Sequence, residues 1–224
     1  MGEAELNKAT GEIIIRSVIY FYGDSATSEL SEQIALDISV HWNEPYALIR
    51  IHKKDYRVRF EIKGICEPAI DPEKVWYNDD PRLNFFRIED YVIGNISFVD
   101  DIGCNTGYFK TDNLKQTSTT AAHEYGHTIG LVHPETMDIR GGAEPGIMYP
   151  RGTLCDPMFQ YEFTASAAAP GGTLDPRHRK VLLQDIADLQ LHKLDFNSHG
   201  YAKMGEFTSI YHEKHSKEFG HQIN

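Results

Sequence analysis

One stretch constrains this chain more than any other: Ala121-Ala122-His123-Glu124-Tyr125-Gly126-His127-Thr128-Ile129-Gly130-Leu131-Val132-His133. His123 and His127 are four residues apart, so on a helix both imidazoles leave one face, one turn apart. That spacing suits two nitrogen bonds to a single Zn²⁺. Glu124 follows the first of them and can lean over such a metal without binding it. A carboxylate placed there can take a proton from water that the metal has acidified. Gly130 accepts a positive φ and can end the helix in a sharp turn. The chain then doubles back, and His133 can supply a third ligand. Three histidines and one open position describe a catalytic zinc geometry rather than a closed structural one. The competing reading is an ordinary helix with surface histidines. Burying three imidazoles together without a metal would leave polar nitrogens unpaired, at about 1–3 kcal/mol each.

Around this stretch the hydrophobic pattern alternates between strand and helix periods. Ile13 to Tyr22 is rich in β-branched and aromatic residues and reads as a buried strand. Leu30, Ile34 and Ile38 recur every four residues, which predicts a helix over 26–42 with Asp24 or Ser25 as N-cap. Strand alternation follows at 47–52 and 56–63, with Lys53-Lys54-Asp55 as the turn between them. Residues 66–82 read as loop, punctuated by Pro68, Pro72 and Pro81. Short strands are expected at 85–88, 96–99 and 106–109, and the histidine helix at 118–130. Residues 134–173 hold many Gly and Pro and no periodic segment. Asp175-Pro176 reads as a cap and first helical residue, opening a helix over 176–193 striped by Leu182, Ile186 and Leu189. The last 30 residues read as a partly ordered polar tail, with His212 and His215 solvated. The expected division is a domain at 12–194 and a tail at 195–224.

Composition excludes several functions. At 41% hydrophobic and 11% aromatic the chain can build a core. With 22 Lys and Arg against 33 Asp and Glu, the net charge is −11, which argues against a nucleic-acid partner. It favours partners with basic segments. No apolar run is long enough for a membrane span, and residues 1–11 have no signal-peptide core, so the compartment stays open. Cys66, Cys104 and Cys155 are too few for a disulfide scaffold. Free thiols are the expectation, with a Cys104–Cys155 bridge as the alternative. No G-x-S-x-G and no phosphate loop is present.

The stretch resembles the signature of the metzincin metallopeptidases, H-E-x-x-H-x-x-G-x-x-H followed by a methionine turn. Gly146-Ile147-Met148-Tyr149-Pro150 is similar to the matrixin form of that turn. Met137 is nearer to His133, but Glu135, Thr136 and Asp138 around it do not look like such a turn. The resemblance implies an α+β zincin-like fold: a twisted mixed β-sheet, an active-site helix and a C-terminal helix. It implies Zn²⁺ on His123, His127 and His133, Glu124 as general base and Met148 as a hydrophobic floor, with Gly130 and Tyr149 as supports. Leu183 to Gln190 is similar to the last matrixin helix, which implies that Asp185 holds the methionine turn; a solvent-facing Asp is the alternative. The segment 94–99 falls where matrixins have the edge strand that pairs with substrate, and an interior strand is the alternative.

The chain also departs from that pattern. Pro134 follows the third histidine, as in the serralysin branch, where matrixins have Ser. Pro150 stands where serralysins and astacins carry a tyrosine ligand. Fifteen positions separate His133 from Met148, so an inserted loop at 134–145 is expected to border the cleft. Pro150-Arg151-Gly152 breaks the matrixin pocket wall. Tyr108 replaces a histidine of the matrixins' second zinc, so that zinc is not expected. Asp100, Asp101, Asp112 and Asn113 could bind Ca²⁺, with a solvated acidic loop as the competing reading. The sequence therefore reads as a zinc endopeptidase acting on a protein or peptide substrate. The competing readings are a catalytically silent binding protein on the same fold, and a protease delivered as a secreted or injected bacterial effector.

Overall fold

A computed structural model describes residues 1–114, 118–161 and 174–216. The fold is α+β: one curled mixed sheet with few helices. Its strands are β1 (Gly2–Asn7), β2 (Glu12–Tyr22), β3 (Leu48–Ile51), β4 (Lys54–Cys66), β5 (Leu83–Glu89), β6 (Phe98–Val99), β7 (Thr106–Lys110) and β8 (Tyr201–Met204). The order is β3-β4-β2-β5-β7-β6, and β1 pairs with both β2 and β8. β2 runs parallel to β4 and β5, and β5 parallel to β7, while the other pairs are antiparallel. The first half of β2 lies between β4 and β1, and the second half between β4 and β5.

The helices are α1 (Ser28–Asn43), α2 (Pro72–Trp76), α3 (Thr120–Thr128) and α4 (Leu183–Asp188). Alternation puts Ile13, Ile15, Ile19 and Phe21 of β2 and Val58 and Phe60 of β4 in the main core. Ile34, Ile38 and Trp42 of α1 and Ala121, Ala122 and Tyr125 of α3 join them there. On the other face Tyr22, Phe85, Ile70 and Val75 form a smaller core, against which Tyr211 packs.

Several expectations need correction. Thr27, not Asp24 or Ser25, caps α1: its Oγ1 accepts from Leu30 N–H at 3.1 Å. The β3–β4 turn is His52-Lys53, both at positive φ, the two-residue form that matches strand twist. The helix expected over 176–193 is broken. A 3₁₀ turn covers Pro176–His178, and its cap is Asp175 as read from the sequence. The chain then extends, because Lys180 N–H bonds Pro145 O and Arg179 turns inward, and α4 starts only at Leu183. The sheet also reaches past both limits of the expected 12–194 domain, since β1 and β8 pair with each other.

Beyond β8 the polar segment lies on the sheet. Tyr211 stacks on Tyr22, and His215 on Tyr108 at 4.3 Å. His212 meets Asp100 at 2.9 Å, so neither tail histidine is simply solvated. Residues 162–173 of the irregular region and 217–224 of the tail lie outside the described residues.

Candidate metal centre

Two large aromatic residues fix α3 in the molecule. Tyr125 reaches down to the sheet, where its hydroxyl is 2.9 Å from Ser17 Oγ. Trp42 of α1 donates its indole N–H to Ala122 O at 3.0 Å. With those anchors buried, His123 and Glu124 face the opposite way, toward a cleft, and His127 lies one turn along from His123. Gly130 has φ of +102°, and Leu131 N–H bonds back to Gly126 O at 2.9 Å. The chain therefore reverses as its spacing suggests, and it brings His133 over the helix.

The three imidazoles converge. His133 Nε2 is 3.1 Å from His123 Nε2 and 3.2 Å from His127 Nε2. The outer nitrogens are held by carbonyls: His123 Nδ1 by Ile147 O and His127 Nδ1 by Leu131 O, both at 2.7 Å. A ring that donates from Nδ1 keeps its Nε2 lone pair free, which is what a metal ligand needs. Burial lowers all three pKa values, helped at each ring by the Arg179 charge, so the rings stay neutral. The trio could hold a metal ion, and it is the one such group among the described residues. His123 and His127 are buried and His133 is exposed, which leaves one side of the cluster open.

Glu124 is 8% exposed and makes no ligand contact with the trio. Burial pushes its carboxyl up to about 8, against the opposing pull of Arg179 and of the Val99 N–H that it accepts. β6, which supplies that N–H, lies at the end of the strand order and so is an edge, but of the expected 94–99 segment only Phe98–Val99 is strand, because Gly94 and Asn95 turn at positive φ within a 3₁₀ turn at Ile93–Asn95.

Ile147 and Met148 lie under the cluster. Ile147 carries the carbonyl on His123, and the Met148 sulfur packs against Gly126 of α3. Asp185 is buried and accepts N–H bonds from Leu182, at 2.7 Å, and from Ile147. It thus caps α4 and ties it to the turn below the histidines, and burial pushes its carboxyl up to about 6. Tyr149 contributes its carbonyl, which accepts from Arg179 Nη1 at 3.1 Å.

Arg179 is the residue that sequence reasoning missed. It is 4% exposed, donates Nε–H to Thr119 Oγ1 at 2.9 Å, and brings Nη1 within 3.0 Å of His123 Nδ1. In Arg177-His178-Arg179-Lys180 it looks like one of a run of solvated cations, and no spacing distinguishes it.

The remaining candidates do not assemble. Asp100 is taken by His212 and Thr106, Asp112 pairs with Lys110, and Asn113 donates to Ser97, so no oxygen cage for Ca²⁺ forms from them. None of residues 134–145 is among the described residues lining the cleft. Cys66, Cys104 and Cys155 are free thiols. No helix among the described residues is long and apolar enough to cross a membrane. Comparison with family models, curated proteins and solved structures gave no match to this chain.

Proposed function

We propose that this chain is a zinc endopeptidase of metzincin type that cuts protein or peptide substrates. The observation that carries the reading is the convergence of three neutral imidazoles beside a buried glutamate. A tetrahedral Zn²⁺ with nitrogen bonds of about 2.0–2.1 Å needs ligand atoms about 3.3 Å apart. The separations of 3.1 and 3.2 Å at His133 fit that requirement. A zinc ion bound there would polarise the scissile carbonyl and acidify the attacking water.

The chain's own groups do the rest. Glu124, next to His123 in sequence, takes the proton at a carboxylate oxygen and returns it to the leaving amine. The Val99 N–H holds that carboxylate in place. The Ile147 and Leu131 carbonyls orient His123 and His127, and Met148 packs beneath the helix that carries them. β6 offers an edge along which a substrate backbone can pair.

Glu124→Ala tests the reading. It should keep one zinc per chain, measured by elemental analysis, and lose about 100-fold or more of peptide hydrolysis, the usual worth of a general base. Turnover at the normal rate in that variant would refute the mechanism. Wild-type turnover that survives full removal of zinc by a chelator would refute the metal's part in it.

A further inference from the structure

A cleft of about 600 Å³ opens beside the histidine trio, the size of a ligand pocket. His123, Glu124 and His133 line one part of it, and Arg151, Arg177 and Arg179 another, with the carboxylates of Asp112 and Asp175 also on its wall. In a chain of net charge −11 such a gathering of cations needs a reason. Arg177 has one, because it pairs with Asp175 through two nitrogens at 2.5–3.1 Å. Arg151 lies over the Tyr161 ring at 5.2 Å, but neither it nor Arg179 has a carboxylate within ion-pair distance among the described residues.

For Arg179 this is costly, since it is 4% exposed and only the more distant carboxylates of Glu124 and Asp175 offset the several kcal/mol of hydration, to order of magnitude, that a buried guanidinium loses. Only Thr119 Oγ1 and Tyr149 O accept from it, through Nε and Nη1, and no described atom takes Nη2.

Arg179 is also poorly placed to act on the reacting carbonyl. It approaches His123 at Nδ1, and the two imidazole nitrogens face opposite sides of the ring, so Arg179 stands away from the metal-binding side.

We propose that this cleft binds a carboxylate of the substrate, with Arg179 as the deep contact and Arg151 as the rim contact. The inference rests on the peptidase reading of the same site and adds its substrate class: peptides with an acidic group close to the cleaved bond. A planar guanidinium with free N–H groups matches a carboxylate in both charge and shape. The carboxylate can belong to an Asp or Glu side chain or to a free C-terminus.

The test is fluorescence anisotropy on the Glu124→Gln variant, with zinc and without it. Three peptides are compared: one with a single Glu and both ends blocked, the same peptide with Gln, and the Gln peptide with a free C-terminal carboxylate. At least one carboxylate peptide should bind at least about tenfold tighter than the blocked Gln peptide, the worth of a charge-assisted bond. Whichever does so identifies the source. The preference should survive removal of zinc and should shrink about tenfold on adding Arg179→Gln or, at the exposed rim, Arg151→Gln. Equal binding of all three peptides, or binding of none, overturns the proposal. So does a preference that vanishes without zinc, because the carboxylate would then sit on the metal. A digest of a peptide library by the zinc-loaded wild type separates the two readings. Cleavage with no acidic preference strikes the carboxylate site alone. No cleavage at all strikes the peptidase reading and leaves the metal-free binding result to decide the other.

Discussion

At the scale of single residues, a histidine becomes a ligand only when its second nitrogen has a partner. Spacing alone shows that His123 and His127 share a face, but not that Ile147 O and Leu131 O hold their outer nitrogens. Gly126 is as instructive. Glycine inside a helix costs about 1 kcal/mol relative to alanine, and here the packing against Met148 and Trp42 needs it. A Cβ at 126 would run into the Met148 sulfur and come within 3.2 Å of Trp42 Cζ2. Gly126→Ala should therefore lower stability by about 1–3 kcal/mol, the cost of overpacking. It should also weaken zinc binding by displacing Met148. Urea denaturation and a competitive zinc titration would measure the two effects, and a neutral result in both would mean that Met148 moves aside freely. Arg179 marks the limit of residue-level reading. Its importance lies in partners at Thr119 and Tyr149, which no local pattern in the sequence connects to it.

At the scale of elements, what is locally encoded was legible and what depends on distant partners was not. The end of α3 at a glycine with positive φ follows from chirality alone, so Gly130 could be read as a turn. The stripe of Leu182, Ile186 and Leu189 suggested one long helix. The periodicity could not show that Lys180 would bond the Pro145 carbonyl and pull the chain straight. β1 and β8 went unread because each has few apolar residues to mark a strand, and pairing with distant neighbours is what sets them. Asp185 joins α4 to the turn at Ile147, and its raised pKa has a measurable consequence. Burial holds its carboxyl at about 6 against an ordinary 3.8, so the folded protein keeps that proton more tightly than the unfolded chain. Its contribution is full below about pH 4 and is lost as pH rises through about 6, for a total of up to about 3 kcal/mol. In Asp185→Asn this titration is gone. The stability of wild type relative to that variant should thus fall between pH 4 and pH 7. A difference that stays flat across that window would show that the carboxyl is well solvated.

At the scale of the whole molecule, two fields oppose one another. The overall charge of −11 attracts cationic chains from a distance, while the arginines in the cleft favour an anion at contact. A peptide with one acidic residue flanked by lysines should satisfy both. Its kcat/KM should fall several-fold between low salt and about 0.5 M salt, where long-range attraction is screened. A peptide without the lysines should lose less. An identical salt response from both would mean that the net charge does no steering. The pairing of β1 with β8 sets Gly2 opposite Met204. This junction cannot form early, because the loop it closes takes in α3, the turn at Met148 and Arg179. Contacts so distant in sequence lower the folding rate, so this strand pair should be among the last to close. A chain halted before it would carry its histidines on an unfinished sheet, and the helix that bears them would lack the support it takes from Met1 through Ser17 and from Gly205 at Thr128.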